Sequence, residues 1–587
     1  MNRRNFMRKA ITVILCLLLL TAMAAGCEEL ELRSSYSSQN ERFNLKENQS
    51  SQGQEEEPLG QLRLAYSPSD GFNPFQCSTK TNLSLSSLQY EALLTLRPDY
   101  TTQPALALSV TLSGLTCTIQ LDPEACFSDG SSVTAKDVAT SFSAAMASEN
   151  YGASLSHIDS VSVSGDWTVT VQLKTADRFF CNLLLFPIVK SGTENQSVPI
   201  GSGRYVLQGT AGNYLLAANP YWYNQKAATF PEISLVPISD SRSQIYSLRL
   251  GELDFVSADP LPQDVVNIGA ATNYDTNSLV YLGCSNSKHS LSFRQAFYQA
   301  IDRRLFVERG YSGKGAPATT PFSPVASVFS GLNENYGQYD VQPLLDFLSS
   351  QGYNQKDEEG YLTNGNSRFA LTLLVNSDNS VRMLAAEELV RQMKELGVQM
   401  ILDQRSFSQY TAALQSGDFD LYLGEVQLCT NFDISALLNP EYGAAFGFSA
   451  NEQLLSAYAS YQAGTGEAAA VCELFYQQMP FFPLSYRSSS VVYSRGLKNR
   501  VTATQQDLFY NLDQWQSNEE PAESSQSAES SQTSESIRSE SSISQESSTS
   551  ESNTAPSSQE SSLISSSQEI SPSSEENSRG SLRRGSE

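Results

Sequence analysis

The chain is 587 residues long and carries 63 acidic against 38 basic side chains, a formal net charge of −25 at pH 7. Such an acidic body repels phosphate backbones, which excludes nucleic acid as a partner. Only two histidines are present, which argues against an imidazole-built metal centre and a histidine-dependent nucleophile; the length exceeds what one hydrophobic core serves, so two or more domains are expected.

Arg3, Arg4, Arg8 and Lys9 form a basic start, residues 11–20 an apolar run, and small residues lead to Cys27. This is the composition of an export signal, too short for a dependable membrane span. The run Ala24-Ala25-Gly26-Cys27 resembles a bacterial lipobox, with Ala24 where Leu is usual, and implies lipidation of Cys27 as the first mature residue; an ordinary secretory signal is the alternative. A lipid anchor would hold the protein at the cell membrane on its extracytoplasmic face. Residues 28–60 are polar and read as a tether. Residues 61–515 form the folded body. Residues 516–587, with 13 Glu, 4 Arg and no aromatic side chain, read as a disordered spacer.

Within the body, "QLRLAY" (61–66), "WTVTVQL" (167–173) and "LTLLV" (371–375) read as strands, alternating with helices in a mixed α/β pattern. In "FSDGSSVTAKDVATSF" (127–142), Asp129-Gly130 is a turn pair. Thr134 stands at an N-cap, Asp137 three residues on, and Val133 and Val138 sit as a hydrophobic staple. Ala135, Val138, Phe142 and Ala145 then repeat at helical spacing. In "RMLAAEELVRQMKELG" (382–397), Leu384, Leu389, Met393 and Leu396 are expected to share one face, with Gly397 as the stop. Seven cysteines remain beyond Cys16 and Cys27, without a C-x-x-C pair. Cys117 and Cys126 flank an expected hairpin and are candidates for a disulfide.

Catalytic vocabulary is missing. There is no G-x-S-x-G elbow, and "GYSGKGAP" (310–317) lacks the spacing and the following Ser or Thr of a phosphate loop. The acidic pairs Asp418/Asp420 and Glu387/Glu388 read as solvated surface. No catalytic residue, metal or cofactor is therefore expected.

A series of short motifs resembles the extracellular solute-binding proteins of family 5, the dipeptide- and oligopeptide-binding lipoproteins of ABC importers. Phe127, Asp129, Gly130, Thr134, Ala135, Asp137 and Val138 match its "F-x-D-G-x-x-[VL]-T-A-x-D-V" hallmark. "YEALLTLRPDYTTQPALALS" (90–109), "GSGRYVL" (201–207), "NPYWYN" (219–224) and "LRLGELDFV" (248–256) are similar to further landmarks. So are "FRQAFYQAIDRRLFVERGYSGKGAPATTPFSP" (293–324), "LQSGDFDLYLG" (414–424) and "MPFFPLSYR" (479–487). The resemblance spans about residues 61–515.

It implies a two-lobed periplasmic-binding-protein-like flytrap with an additional subdomain. Lobe one would comprise 61–92, 200–284 and 484–515, the subdomain 93–199, and lobe two 285–483. Crossover strands would lie near 279–286 and 482–487, with Gly283, Cys284, Pro483 and Leu484 as hinge residues or as plain loop positions. The implied partners are a peptide or another small solute, an ABC permease and its ATPase subunits; the protein itself is expected to be monomeric. Peptide-binding relatives hold the peptide amino group with an acid that here falls near Cys429 or Thr430. Glu425 or Asp433 could substitute, Asp433 being equally suited to a loop or cap role. Phe72 and Asn73, or a turn in their place, and Tyr486 and Arg487 complete the ligand candidates. A surface sensor or structural protein built on the same scaffold is the alternative.

Overall fold

The computed structural model describes residues 61–223, 228–258, 269–439, 443–498 and 501–517. The expected signal, lipidated Cys27, tether and C-terminal spacer lie outside the described residues, apart from the first two residues of the last. Among the described residues no helix is long and apolar enough to cross a membrane.

Chain order gives β1 (Leu62–Tyr66), β2 (Ala107–Ser113), β3 (Thr116–Leu121), α1 (Ala135–Ala147), β4 (Ile158–Ser164) and β5 (Thr168–Leu173). There follow β6 (Tyr205–Thr210), β7 (Asn213–Ala218), β8 (Glu232–Pro237), α2 (Ser241–Arg249), β9 (Phe255–Ala258) and β10 (Ala270–Cys284). The rest of the main framework is α3 (Leu291–Gln299), β11 (Gly315–Pro317), β12 (Ala370–Asn376), α4 (Ser380–Glu395), β13 (Gln399–Arg405), α5 (Phe407–Ser416), β14 (Leu421–Gln427) and β15 (Phe481–Tyr493).

Eleven strands form one sheet in the order β13-β12-β14-β10-β15-β9-β1-β8-β7-β6, with β11 beside β15. Two long antiparallel strands join its halves. β15 pairs with β9 through residues 490–493 and with β10 along its length, and β10 pairs with β14 from Ser278 to Cys284. On one side β1 lies parallel to β8 and β9; on the other β12 lies parallel to β13 and β14. Parallel strands covered on both faces read as near-continuous apolar runs, as in β12, where Leu371 and Leu373 through Val375 are all buried.

A separate antiparallel sheet, β2-β3-β5-β4, forms an added layer. Its period-two alternation buries Cys117, Ile119, Leu121, Val169, Val171 and Leu173 on one face and leaves the intervening Thr and Gln residues outside. Three large hydrophobic cores result: one for this layer, one on the β1–β8 side and one on the β12–β14 side. Separate cores are the expected solution for a body of this length.

α1 covers the layer sheet, and its start follows the sequence. Asp137 Oδ2 accepts from the Thr134 amide at 2.8 Å and hydroxyl at 2.5 Å, while Oδ1 accepts from the Ser191 amide at 2.8 Å and ties the loop beyond to the helix. Val133, Val138, Phe142 and Ala145 are fully buried, and Gly130 adopts φ +83° in the preceding turn.

α4 departs from expectation. Leu384 is 43% exposed, and the inward face is formed by Ala385, Ala386, Leu389 and Met393. The reason is close approach: a Cβ on Gly310 would stand 2.9 Å from Ala385 Cα, so only small side chains fit there. Of the acidic pair on this helix, Glu388 is buried, accepting from Arg391 and Gln392 instead of facing water. Gly397, at φ +85°, ends the helix as expected.

Candidate functional site

A cavity of about 490 Å³ opens where β10 and β15 carry the sheet from one half to the other. Lys80, in the short helix Lys80–Ser84, and Gln244 of α2 line it from the β1 side. Asn379, Glu425 and Gln427 line it from the β14 side, and Arg487 and Ser488 belong to the crossing strand β15. Both halves of the molecule therefore contribute to one polar chamber. Among its lining residues the charged ones are Lys80, Glu425 and Arg487, which leaves an excess of one positive charge.

An ion triad stands at its wall. Arg382 Nη2 donates to Glu425 Oε2 at 2.9 Å and Arg487 Nη1 donates to Glu425 Oε1 at 3.0 Å. The three side chains are only 10%, 13% and 17% exposed for Arg382, Glu425 and Arg487. Burial alone would push the Glu425 carboxyl up, but the charges and hydrogen bonds of Arg487 and Arg382 outweigh it and hold the carboxyl down at about 2. Arg382 sits in the first turn of α4, whose N-cap Asn379 accepts from the Arg382 amide. The Arg487 guanidinium also lies 5.2 Å from the Tyr311 ring centroid, a cation–π contact that fixes its plane.

The strand ladder yields beside this chamber. The β10–β15 register shifts between Asp275 and Ser278, and again between Val280 and Tyr281. At the first break Thr276 Oγ1 donates to the Arg487 carbonyl at 2.8 Å, and Ser488 Oγ donates to Asp275 Oδ1 at 2.8 Å. Side chains therefore hold what the ladder releases.

The six residues singled out in the sequence as ligand candidates fall into two groups. Glu425 and Arg487 meet in the chamber. Phe72 is buried in an aromatic cluster with Tyr66 and Tyr214, at centroid distances of 5.7 and 5.2 Å. Asn73 has its amide committed to the carbonyls of Glu194 and Gln196 at 2.8 and 2.7 Å, and its Oδ1 to the Phe75 amide. The Tyr486 hydroxyl donates to the Pro321 carbonyl at 2.7 Å inside the core. Asp433 is 1% exposed and accepts from the Tyr458 hydroxyl and from Ser435. Burial pushes its carboxyl up to about 7 against those bonds. Strand alternation and loop packing point these four side chains into cores, so the structure does not bring them to the chamber.

The residues considered as hinges lie in the β14-side part of the ladder. Gly283 opposes Tyr422 and Phe481, and a Cβ there would meet the Tyr422 ring at 2.0 Å. Its small size serves a ring packed against the backbone. Cys284 and Leu484 are fully buried, and the Pro483 carbonyl accepts from Arg303 Nε at 2.8 Å. At the position where the resemblance expects an acid, Thr430 Oγ1 donates to the Asn182 carbonyl and the Cys429 carbonyl accepts from Asn277. Sequence reasoning missed Arg382, Lys80 and Gln427; a charged residue on the apolar face of α4 was the one available signal.

Comparison with known proteins accounts for this architecture. Residues 101–444 match the family model for the middle region of bacterial extracellular solute-binding proteins, family 5. The oligopeptide-binding protein AppA of Bacillus subtilis is 23% identical over 487 residues, 76% of this chain and 89% of its own. The structure of AppA from Bacillus subtilis in complex with a nonapeptide superposes with a TM-score of 0.54 at 19% identity, over 78% of this chain and 98% of that one. HbpA2 from Haemophilus parasuis gives 0.63 at 18% identity, over 76% and 98%. These solved structures share the two-lobed α/β fold, and the family match covers more than half of the sequence. The chain belongs to the bacterial extracellular solute-binding proteins of family 5.

Proposed function

We propose that this protein captures a peptide or a similar carboxylate-bearing solute between its two halves and hands it, unchanged, to the permease of an ABC importer. The observation that carries the reading is the chamber itself, polar, shared by both halves, and positive by one charge through Lys80 and Arg487 against Glu425. A peptide offers a free carboxylate that a guanidinium recognises with geometry as well as charge, and backbone groups that the chamber's hydroxyls and amides can pair directly or through water. Such a ligand touches both halves only when they are closed, so binding shifts the population toward the closed state. The register break at Asp275–Ser278 is the bending point in this proposal. Lipidation at Cys27 would keep the protein at the membrane beside its permease, whose ATPase subunits supply the energy; no catalytic step is assigned to this chain.

One feature favours a second reading as a sensor or structural protein. The Cys429 carbonyl and the Thr430 hydroxyl, where an acid for a peptide amino group is expected, are both occupied with internal bonds. Thermal unfolding of the purified full chain against peptides with free and with amidated C-termini separates the two. The import reading expects free-carboxylate peptides to raise the melting temperature, amidated ones to do so less, and the difference to vanish in Arg487→Met. A library in which no peptide stabilises the chain supports the second reading.

A further inference from the structure

Cys117 and Cys126 are both free thiols, and Cys126 Sγ donates to the Glu124 carbonyl of its own loop at 3.4 Å. The disulfide expected across that hairpin is therefore not formed. Chemistry that remains unassigned lies instead at the chamber wall, where the last described segment, residues 501–517, contributes Gln505.

Gln505 Oε1 accepts from the Asn277 amide at 3.0 Å and from the Tyr100 hydroxyl at 3.2 Å. A backbone amide can only donate, so the atom facing it is the side-chain oxygen, and the orientation of the carboxamide is fixed. Its neighbours in sequence are tied down as well. Gln506 accepts from the Leu96 amide at 2.9 Å and donates to the Leu185 carbonyl at 2.9 Å, and Asp507 accepts from the Ser87 hydroxyl at 2.7 Å. Tyr100 is buried, packs its ring 5.5 Å from that of Phe432, and shares its hydroxyl proton with the Asp275 carbonyl at 3.1 Å. With Oε1 committed twice, the donor left over is Gln505 Nε2, which has no protein partner among the described residues.

The position of this donor gives it a use. Asn277 stands inside the register break Asp275–Ser278, and both of its neighbours in β10 meet Arg487. Thr276 Oγ1 donates to the Arg487 carbonyl at 2.8 Å, and Ser278 is the cross-strand partner of Arg487. Gln505 and Arg487 therefore line one stretch of the chamber from two different elements.

We infer that Gln505 is a specificity-determining residue whose Nε2 donates to a carbonyl oxygen of the solute beside the carboxylate taken by Arg487, so that the site selects the last residue of a peptide together with its preceding amide. Tyr100 and Asn277 are its positioning residues. The inference rests on the reading of the chamber as a solute site and adds which atoms of the solute are read. A donor already held in place loses little rotamer freedom on binding. A solute that lacks the acceptor leaves that donor unpaired once the chamber closes, which penalises it further.

The test is titration calorimetry of the full chain with a library of free-carboxylate tripeptides, each paired with an analogue in which sulfur, a weak acceptor, replaces the oxygen of the last amide. The unmodified chain should bind the oxygen form about 2- to 10-fold more tightly. Gln505→Met should lose that preference and keep the preference for free over amidated C-termini, which Arg487 makes. Tyr100→Phe should reduce the oxygen preference without abolishing it. Should Gln505→Met fail to fold, Gln505→Glu, which keeps both accepted bonds and turns the donor into an acceptor, should lose the same preference. An oxygen preference absent from the unmodified chain, or unchanged in the Gln505 variants, overturns the inference and leaves the import reading standing. A library in which no member binds the unmodified chain overturns the import reading and this inference with it.

Discussion

Replacing Glu425 by Gln removes the one negative charge on which two buried guanidiniums converge, at nearly unchanged volume. The free energy at stake follows from the structure by two routes. Arg382 and Arg487 hold the carboxyl at about 2, and the difference from an ordinary glutamate, at about 1.4 kcal/mol per pH unit, comes to roughly 3 kcal/mol. Removing one partner from a buried ion pair costs about 3–5 kcal/mol because the remaining charge is left uncompensated. With side-chain exposures between 10% and 17% in the triad, solvent screening reduces these figures little. The sign with pH is set by a depressed carboxyl: the stabilisation is present above the ordinary glutamate range and is lost as pH falls toward 2. Urea unfolding of the full chain followed at several pH values is the assay. Glu425→Gln should shift the midpoint at pH 7 by the equivalent of about 3 kcal/mol and lose most of the wild-type dependence between pH 4.5 and 2. A variant within about 0.5 kcal/mol of wild type at pH 7, or a double-mutant cycle with Arg382→Met that shows no coupling, refutes the argument that Glu425 compensates the two buried guanidiniums.

Three further outcomes follow from named contacts. Gly283→Ala drives a methyl group into the Tyr422 ring and should cost about 1–3 kcal/mol or more by overpacking, with Tyr422→Leu in the same chain recovering part of the loss in urea unfolding. Asp433, held protonated by burial up to about 7, contributes stability that is complete below the ordinary Asp range and fades as pH rises through 7; Asp433→Asn should flatten the stability profile between pH 4 and 7 and leave the pH 7 value no lower than wild type. Asp137→Ala removes both the cap of α1 and the tie to Ser191, and should lower protection of the α1 amides in hydrogen exchange by the equivalent of about 1–2 kcal/mol, with the β12–β14 half unchanged.

The resemblance to a two-lobed binding fold was readable because it rests on local punctuation. Thr134, Asp137, Gly130 and Gly397 each answer to the backbone within a few residues, and the alternation of β3 and β5 shows which face is buried without reference to any partner. Side chains whose orientation depends on distant packing were not readable. Leu384 looked like a core residue by type, yet Ala385 occupies the inward position because the Gly310 backbone comes too close for anything larger. Phe72, Asn73, Tyr486 and Asp433 have the chemistry of ligand contacts, and tertiary packing turned all four into cores.

What the sequence by itself determined is therefore periodicity, capping and the order of motifs, since these are set by dihedral preferences and hydrogen bonds over short stretches. Only the tertiary structure decided which charges meet. Arg382, Glu425 and Arg487 lie on three elements. Their encounter depends on strand order and on the crossing of β10 and β15, and a Coulomb contact falls off within a few ångströms that no local pattern specifies.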